Sequence, residues 1–77
     1  MPKFVDFHPG HQMTEEAVER LRNLVVDKVV DEFGVRQLEF LYGEDGAYCI
    51  LEAPDEEAVC KHHGGPMGDV HEIKTLL

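Results

Sequence analysis

Five histidines are the residues of this chain best suited to chemistry, and each stands at the end of a segment with the pattern of a strand or a helix. They are His8, His11, His62, His63 and His71. Imidazole and thiolate are side chains that bind transition metals at neutral pH, so Cys49 joins them as a candidate ligand. The sequence therefore predicts a site for a divalent transition metal, with nickel, copper and zinc as the candidate ions.

No single spacing among these residues is diagnostic of a metal site. His8 and His11 form a loose pair across a Pro-Gly turn, and the sequence has no second clustered pair of cysteines as a zinc finger would. The histidines at 62 and 63 have an alternative explanation, because a cation at the end of a helix is stabilised by the helix dipole without any metal. Cys49 has one as well, since a cysteine in the middle of a strand is commonly a small buried apolar residue.

The first half of the chain predicts a strand followed by a helix. Residues 3–8 alternate apolar and polar types and are rich in aromatic and β-branched side chains, which is typical of a strand that ends at the turn after His8. Thr14 has the type and position of an N-cap, and two glutamates follow it in the first helical turn. The apolar spacing predicts a helix that ends at Phe33, with Gly34 as its C-terminal cap.

The second half predicts a hairpin, a short helix and a last strand. Residues 35–42 and 47–53 are apolar-rich runs on either side of a Gly-Glu-Asp-Gly turn, as in an antiparallel hairpin. Asp55 is a good N-cap for a helix that stops after His63, before two glycines and a proline. Residues 70–76 complete the pattern as a fourth strand.

The order β-α-β-β-α-β predicts an α+β, ferredoxin-like fold. In this arrangement a four-stranded antiparallel sheet has the first and third strands in the middle and both helices on one face. The end of the first strand, the start of the third, the end of the second helix and the start of the fourth strand then share one edge of the sheet. The candidate ligands expected at that edge are His8, His11, Cys49, His62, His63 and His71.

The composition indicates one small domain over residues 1–77. A net charge of −9 without a cluster of basic residues argues against binding to nucleic acids or anionic membranes, because both need positive charge to pair with phosphates. No apolar run has the length of a membrane span, and no charged start leads into the apolar run of a signal peptide. With two cysteines and no disulfide framework, we expect a cytoplasmic protein with reduced thiols.

The sheet face away from the helices is expected to contact a second copy of the chain. The residues assigned to this open face are Phe4, Asp6, Val35, Gln37, Glu39, Leu41, Glu72, Lys74 and Leu76. Asp6 is either an exposed residue of this face or, from its place on the same strand face as His8, a ligand or a group that orients an imidazole. A chain of 77 residues has a thin core, so the apolar part of this face predicts a homodimer.

One segment resembles a known family. It is the run Cys49-Ile50-Leu51-Glu52-Ala53-Pro54-Asp55-Glu56-Glu57-Ala58-Val59, followed by His62 or His63, a Gly/Pro loop and Ile73 in the last strand. This pattern is similar to a family of small domains of unknown function that includes a nickel-binding member. Pro9-Gly10 and the helix opened by Thr14 also look like the first turn of that family. The resemblance covers about half of the chain, and Cys-x-x-Glu-Ala-Pro-Asp is its most specific part.

The resemblance implies a ferredoxin-like domain that dimerises through its sheet and binds or responds to a metal, rather than a defined enzyme. Cys49, the strand end at His8 and one of His62 and His63 match the family's pattern. The doubled histidine, His11 and the short loop before His71 depart from it, which leaves the ligand set open. Two other functions also stay open: a small dimeric α+β-barrel enzyme with a histidine as acid or base, and a regulatory dimer that binds a small ligand at its interface.

Overall fold

The elements of the computed structural model follow the order expected for a ferredoxin-like fold, over the described residues 1–10, 13–65 and 69–74. They are β1 (Lys3–Pro9), α1 (Glu15–Val26), β2 (Arg36–Gly43), β3 (Gly46–Glu52), α2 (Glu56–His62) and β4 (Val70–Ile73). The strands form one antiparallel sheet in the order β2-β3-β1-β4. The first and third strands are central, and the predicted α+β ferredoxin-like βαββαβ fold is confirmed.

Both helices begin where the sequence predicts an N-cap. The Thr14 hydroxyl accepts a hydrogen bond from the backbone N–H of Ala17 at 3.1 Å, and the Asp55 carboxylate accepts one from Ala58 at 2.8 Å. Each bond satisfies a backbone donor that has no partner inside the first helical turn. Neither helix in the described part of the chain combines the length and the apolar character needed to cross a membrane.

The helix α1 is shorter than the sequence predicts. It ends at Val26, and the prediction that it continues to Phe33 is wrong. Lys28 has a left-handed backbone with φ 54°, and Val30 forms an isolated bridge to the start of β2. β-branched side chains lose rotamer freedom in a helix and suit extended backbone, so the valine-rich end of the predicted helix turns back toward the sheet. This turn brings Asp31 into contact with the end of α2.

The core lies between the sheet and α2. Its buried side chains are Phe4, Val35, Cys49, Leu51, Ala53, Ala58, Val59 and Val70. Ala58 and Val59 come from α2, whereas none of the 12 described residues of α1 is buried. Because α1 does not pack closely against the sheet, a cleft of about 230 Å³ lies between α1, the sheet and the end of α2.

The predicted assignment of strand faces is wrong for five residues, namely Phe4, Asp6, Val35, Gln37 and Glu72. The first four are buried, with at most 6% of each residue exposed, and Phe4 and Val35 belong to the core beneath the helices. Glu72 pairs with Phe4 and therefore shares its face. β1 carries apolar residues on both faces, so its alternation does not show which set the helices cover. Leu41, also assigned to the open face, is 52% exposed.

The open face of the sheet is formed by a different and more apolar set. Residues that pair directly across neighbouring strands share a face. Val5 pairs with Ile50 on one side and with His71 on the other, and Phe7 pairs with Tyr48. The rings of Phe7 and Tyr48 lie 4.7 Å apart. We call the apolar centre of this face the open-face patch, which consists of Val5, Phe7, Leu41, Tyr48 and Ile50.

The strand β4 lies at the sheet edge beside β1. It begins at Val70, which pairs with Asp6 and is buried in the core. The strand ends at Ile73, and the predicted continuation to Leu76 lies outside the described residues beyond Lys74. β4 therefore pairs with the first half of β1, and the end of β1 that carries His8 does not pair with β4.

Candidate metal centre

Asp6, His8 and His63 form a cluster on the helix-covered face of the sheet, and we call these three residues the triad. Asp6 and His8 are two residues apart on β1, so their side chains leave the strand on the same face. His63 is the C-cap residue of α2, which ends beside them. One ligand atom from each residue lies within 4.8 Å of the other two.

Asp6 is the centre of the triad and is fully buried. Nε2 of His63 lies 2.5 Å from Oδ2 of Asp6, and Nε2 of His8 lies 3.0 Å from Oδ1. The first contact is a hydrogen bond, whereas the second is an ion-pair contact that does not give Oδ1 a hydrogen bond of standard geometry. A buried carboxylate oxygen with this remaining capacity is well placed to accept a cation.

The Asp6 carboxylate is ionised in this setting. Burial on its own raises the pKa of a carboxyl group, but a hydrogen bond from His63, the charges of His63 and His8 and a hydrogen bond from Cys49 outweigh that effect. The pKa of Asp6 is therefore lowered from its ordinary value. A carboxylate that is already charged can bind a metal ion without first losing a proton.

Cys49 lies directly opposite Asp6 in the sheet and is buried. Burial, the negative charge of Asp6 and the hydrogen bond between the two side chains all raise the pKa of the Cys49 thiol. Cys49 is thus a neutral thiol that donates a hydrogen bond to the carboxylate. It does not belong to the group of ligand atoms that lie within 4.8 Å of one another among the described residues.

His62 belongs to a second carboxylate–histidine pair. Its Nδ1 is hydrogen-bonded to the carboxylate of Asp31, and its Nε2 lies 3.1 Å from the amide nitrogen of Gln37. The ring centroids of His62 and His63 are 5.0 Å apart, and those of His63 and His8 are 4.9 Å apart. The three imidazoles therefore form a row across the sheet, from β1 to the side of β2.

The remaining predicted ligands are not part of this row. His71 pairs with Val5 on the open face, so the sheet separates its side chain from the triad. His11 lies outside the described residues. The edge at which the ligands are expected belongs to both faces of the sheet. The triad lies on the helix-covered face, whereas His71 lies on the open face. The predicted ligands that the structure brings together are His8, Cys49, His62 and His63.

Two residues of the site, Asp31 and Gln37, have no signal in the sequence that marks them. Asp31 falls inside the predicted helix, and Gln37 falls on the predicted open face. Asp6 does have a signal, because the spacing Asp6-x-His8 on a strand puts a carboxylate and an imidazole on one face. The charge of a buried carboxylate then requires partners, which His8 and His63 provide.

The triad offers two imidazole nitrogens and a carboxylate oxygen, a set that suits a divalent transition metal. Three protein ligands leave at least one position of a four-coordinate ion open. The cleft of about 230 Å³ beside α1 adjoins this position, because His8 and His63 line it together with Cys49, Gln37 and His62. An ion held by the triad would therefore be reached through this cleft.

The chain matches no protein-family model, no curated protein and no solved structure. Its function is therefore inferred from the geometry of the site.

Proposed function

We propose that the domain binds a divalent transition metal through Asp6, His8 and His63. The observation that carries this proposal is a fully buried carboxylate with two imidazole nitrogens beside it, all three ligand atoms lying within 4.8 Å of one another. Burying a charge costs free energy unless the charge is well paired. A bound cation would pair the carboxylate more completely than two histidines do, which is the reason to expect one.

Nickel is the ion that we propose first. Imidazole suits nickel, zinc, copper and iron, and the Irving–Williams order gives nickel and copper the higher affinity among divalent ions at nitrogen-rich sites. The resemblance of residues 49–59 to a family with a nickel-binding member supports the same choice. Cys49 then acts as a hydrogen-bond donor to a ligating carboxylate, a contact of the kind that fixes the orientation of metal ligands.

Metal binding fits the size of the cleft better than catalysis on an organic substrate does. Pockets for drug-sized ligands have volumes of about 300–1,000 Å³, whereas the cleft beside the triad has about 230 Å³. A larger hollow of about 690 Å³ lies on the outer side of α2, lined by Phe33, Cys60 and the glycines after the helix, and it includes no triad residue. The candidate metal ligands and the larger hollow therefore lie at different places on the domain.

The open-face patch supports a further proposal, that the domain is a homodimer. Leu41 and Tyr48 are 52% and 47% exposed, and they lie beside other apolar residues of the patch. A patch of apolar side chains of this kind commonly marks a contact with another protein chain.

A cytoplasmic location is proposed from the state of the cysteines. Cys49 and Cys60 are free thiols, and the first of them is buried. Free thiols persist in reducing compartments, whereas small secreted domains commonly depend on disulfides.

Thermal unfolding with and without metal tests the metal proposal. An ion that binds only the folded chain stabilises it by about 2.7 kcal/mol at one hundred times its Kd, and each kcal/mol raises the Tm of a domain of this size by about 4–8 °C. We expect nickel and zinc to raise the Tm by about 10 °C or more. Magnesium, which prefers oxygen ligands and keeps its waters, should leave it unchanged.

Two matched variants complete this experiment. His63→Gln should abolish the nickel-dependent rise in Tm, because it removes a triad ligand. His71→Gln should retain the rise, because His71 pairs with Val5 on the opposite face of the sheet. A rise that persists in His63→Gln would contradict the proposal.

A further inference from the structure

His62 has the hydrogen-bonding pattern of a histidine that binds a metal, although it lies outside the triad. Its Nδ1 is bonded to the carboxylate of Asp31, and its Nε2 faces Gln37 beside the cleft. A histidine that ligates a metal almost always donates its other ring N–H to a carboxylate, a backbone carbonyl or a water. The Asp31–His62 pair has this arrangement.

Asp31 determines which nitrogen of His62 carries the proton. An ionised carboxylate only accepts hydrogen bonds, so Nδ1 must be the donor. The amide nitrogen of Gln37 is a donor, so its contact at 3.1 Å makes Nε2 of His62 the acceptor and agrees with a proton on Nδ1. With its proton on Nδ1, His62 presents on Nε2 the lone pair that a metal binds.

The spacing of the rings fits a shared ion. Two imidazoles bound to one tetrahedral ion, with metal–nitrogen distances of about 2.0–2.1 Å, have ring centroids about 5 Å apart. The centroids of His62 and His63 are separated by 5.0 Å, and those of His63 and His8 by 4.9 Å. His62 is therefore as close to the ligand His63 as a second imidazole on the same ion would be.

Gln37 supplies an independent observation that points to a ligand. It lines the cleft, is 6% exposed, and its Oε1 is buried without a hydrogen-bond partner among the described residues. Its amide nitrogen is the group that now contacts Nε2 of His62. Buried polar atoms in native proteins are normally satisfied, so an unpaired acceptor in the lining of a cleft calls for a donor there.

We propose that His62 is the fourth protein ligand of the metal bound by the triad, with Asp31 as the residue that positions it. On metal binding, Nε2 of His62 would exchange the amide of Gln37 for the ion, which would complete a four-coordinate set of three imidazoles and one carboxylate. Oε1 of Gln37 would accept a hydrogen bond from a water in the cleft. This inference rests on the proposed metal-binding function of the triad.

The test combines calorimetric titration with zinc and X-ray absorption spectroscopy of the zinc-loaded protein, which counts imidazole ligands. The parent should show three imidazoles, and His62→Gln should show two with weaker binding. Asp31→Asn should lower the affinity about 10- to 100-fold, as is typical when the partner of a ligating histidine is lost. The asparagine still accepts the hydrogen bonds of Phe33 and Val35 through its oxygen, so the turn is preserved while Nδ1 of His62 loses its acceptor.

Matched controls separate this role from general effects of charge and folding. Glu32→Gln makes the same change of charge one residue away, and His71→Gln removes an imidazole on the opposite face. Both should bind zinc as the parent does. Two imidazoles in the parent, or parental affinity in His62→Gln while His63→Gln loses binding, would overturn the inference and leave the triad intact. A parent that binds no zinc would overturn both proposals.

Discussion

Asp6 and His63 are 57 positions apart in the chain, yet Oδ2 of Asp6 lies 2.5 Å from Nε2 of His63. β1 holds the carboxylate in the buried face of the sheet, and the end of α2 holds the imidazole beside it. This contact joins the first strand to the second helix and also brings together two of the three triad ligands. The same side chains therefore contribute to the fold and to the proposed site.

Replacing this carboxylate, as in Asp6→Asn, should lower the free energy of unfolding by about 1–3 kcal/mol at neutral pH, because a buried hydrogen bond to a charged group is lost. The pKa of Asp6 is lowered in the fold. Its stabilising contribution is therefore present above the unfolded value of about 3.9 and is lost as the pH falls through the folded value. Urea unfolding should show a wide gap in stability between the two proteins at neutral pH, and this gap should narrow as the pH falls below about 3.9.

An exposed carboxylate provides the control for this comparison. Asp45 lies in the turn between β2 and β3, and Asp45→Asn makes the same chemical change at the surface. We expect its stability to stay within about 0.5 kcal/mol of the parent, as is usual for surface substitutions. Equal stability of the parent and Asp6→Asn at neutral pH would show that the Asp6 contacts add nothing to the fold.

Cys49 should resist alkylation in the folded protein. Burial and the charge of Asp6 raise the pKa of its thiol. At a fixed pH, the reactive thiolate fraction falls about tenfold for each unit by which the pKa rises. Cys60 is only partly buried and should react with iodoacetamide first, as peptide mapping by mass spectrometry can measure. In urea the two cysteines should react alike. Faster reaction of Cys49 in the folded state would refute its assignment as a neutral donor to Asp6.

The raised pKa of Cys49 also predicts how stability depends on alkaline pH. The thiol is neutral in the fold and ionises in the unfolded chain at about pH 8.5. The contribution of Cys49 to the free energy of unfolding is therefore fully present below that pH and is lost as the pH rises above it toward the folded pKa. Cys49→Ala should weaken this alkaline loss of stability in urea unfolding, whereas an unchanged pH profile would argue against the effect.

Local signals account for what the sequence predicts correctly. Thr14 and Asp55 mark the helix starts because an N-cap acts within its own turn. The signal that ends α1 is not local, because Asp31 accepts hydrogen bonds from the N–H groups of Phe33 and Val35 only after the chain has turned back. The valine-rich sequence therefore predicts a longer helix than the fold contains.

The site itself was only partly predictable, because its residues come from separate elements. The topology predicts that His8 and His63 approach each other, and they do. The topology does not say which face of β1 the helices cover, because both faces carry apolar residues, and so Asp6 is misplaced. His71 shares the predicted edge but lies on the other face, which is a difference of one residue in the strand alternation.

A charge in the open-face patch should dissociate the proposed dimer. Ile50 is at the centre of the patch, paired with Val5, and Ile50→Lys would place an ammonium group in the interface. Sedimentation equilibrium at low micromolar concentration should give twice 8.7 kDa for the parent and 8.7 kDa for the variant. Val26→Lys is the control, because Val26 is 67% exposed on α1, and it should remain dimeric. A monomeric parent would contradict the proposal.

Calorimetric titration with nickel at two pH values tests the central claim most directly. Protons compete with metal for imidazole nitrogen, so the parent should bind one ion per chain at about pH 7.5 and bind it much more weakly at about pH 5.5. His8→Gln and His63→Gln should each lose this binding, while His71→Gln keeps it. Affinity that is retained in both triad variants, or that does not change with pH, would mean that surface carboxylates bind the ion nonspecifically and would contradict a metal site at Asp6, His8 and His63.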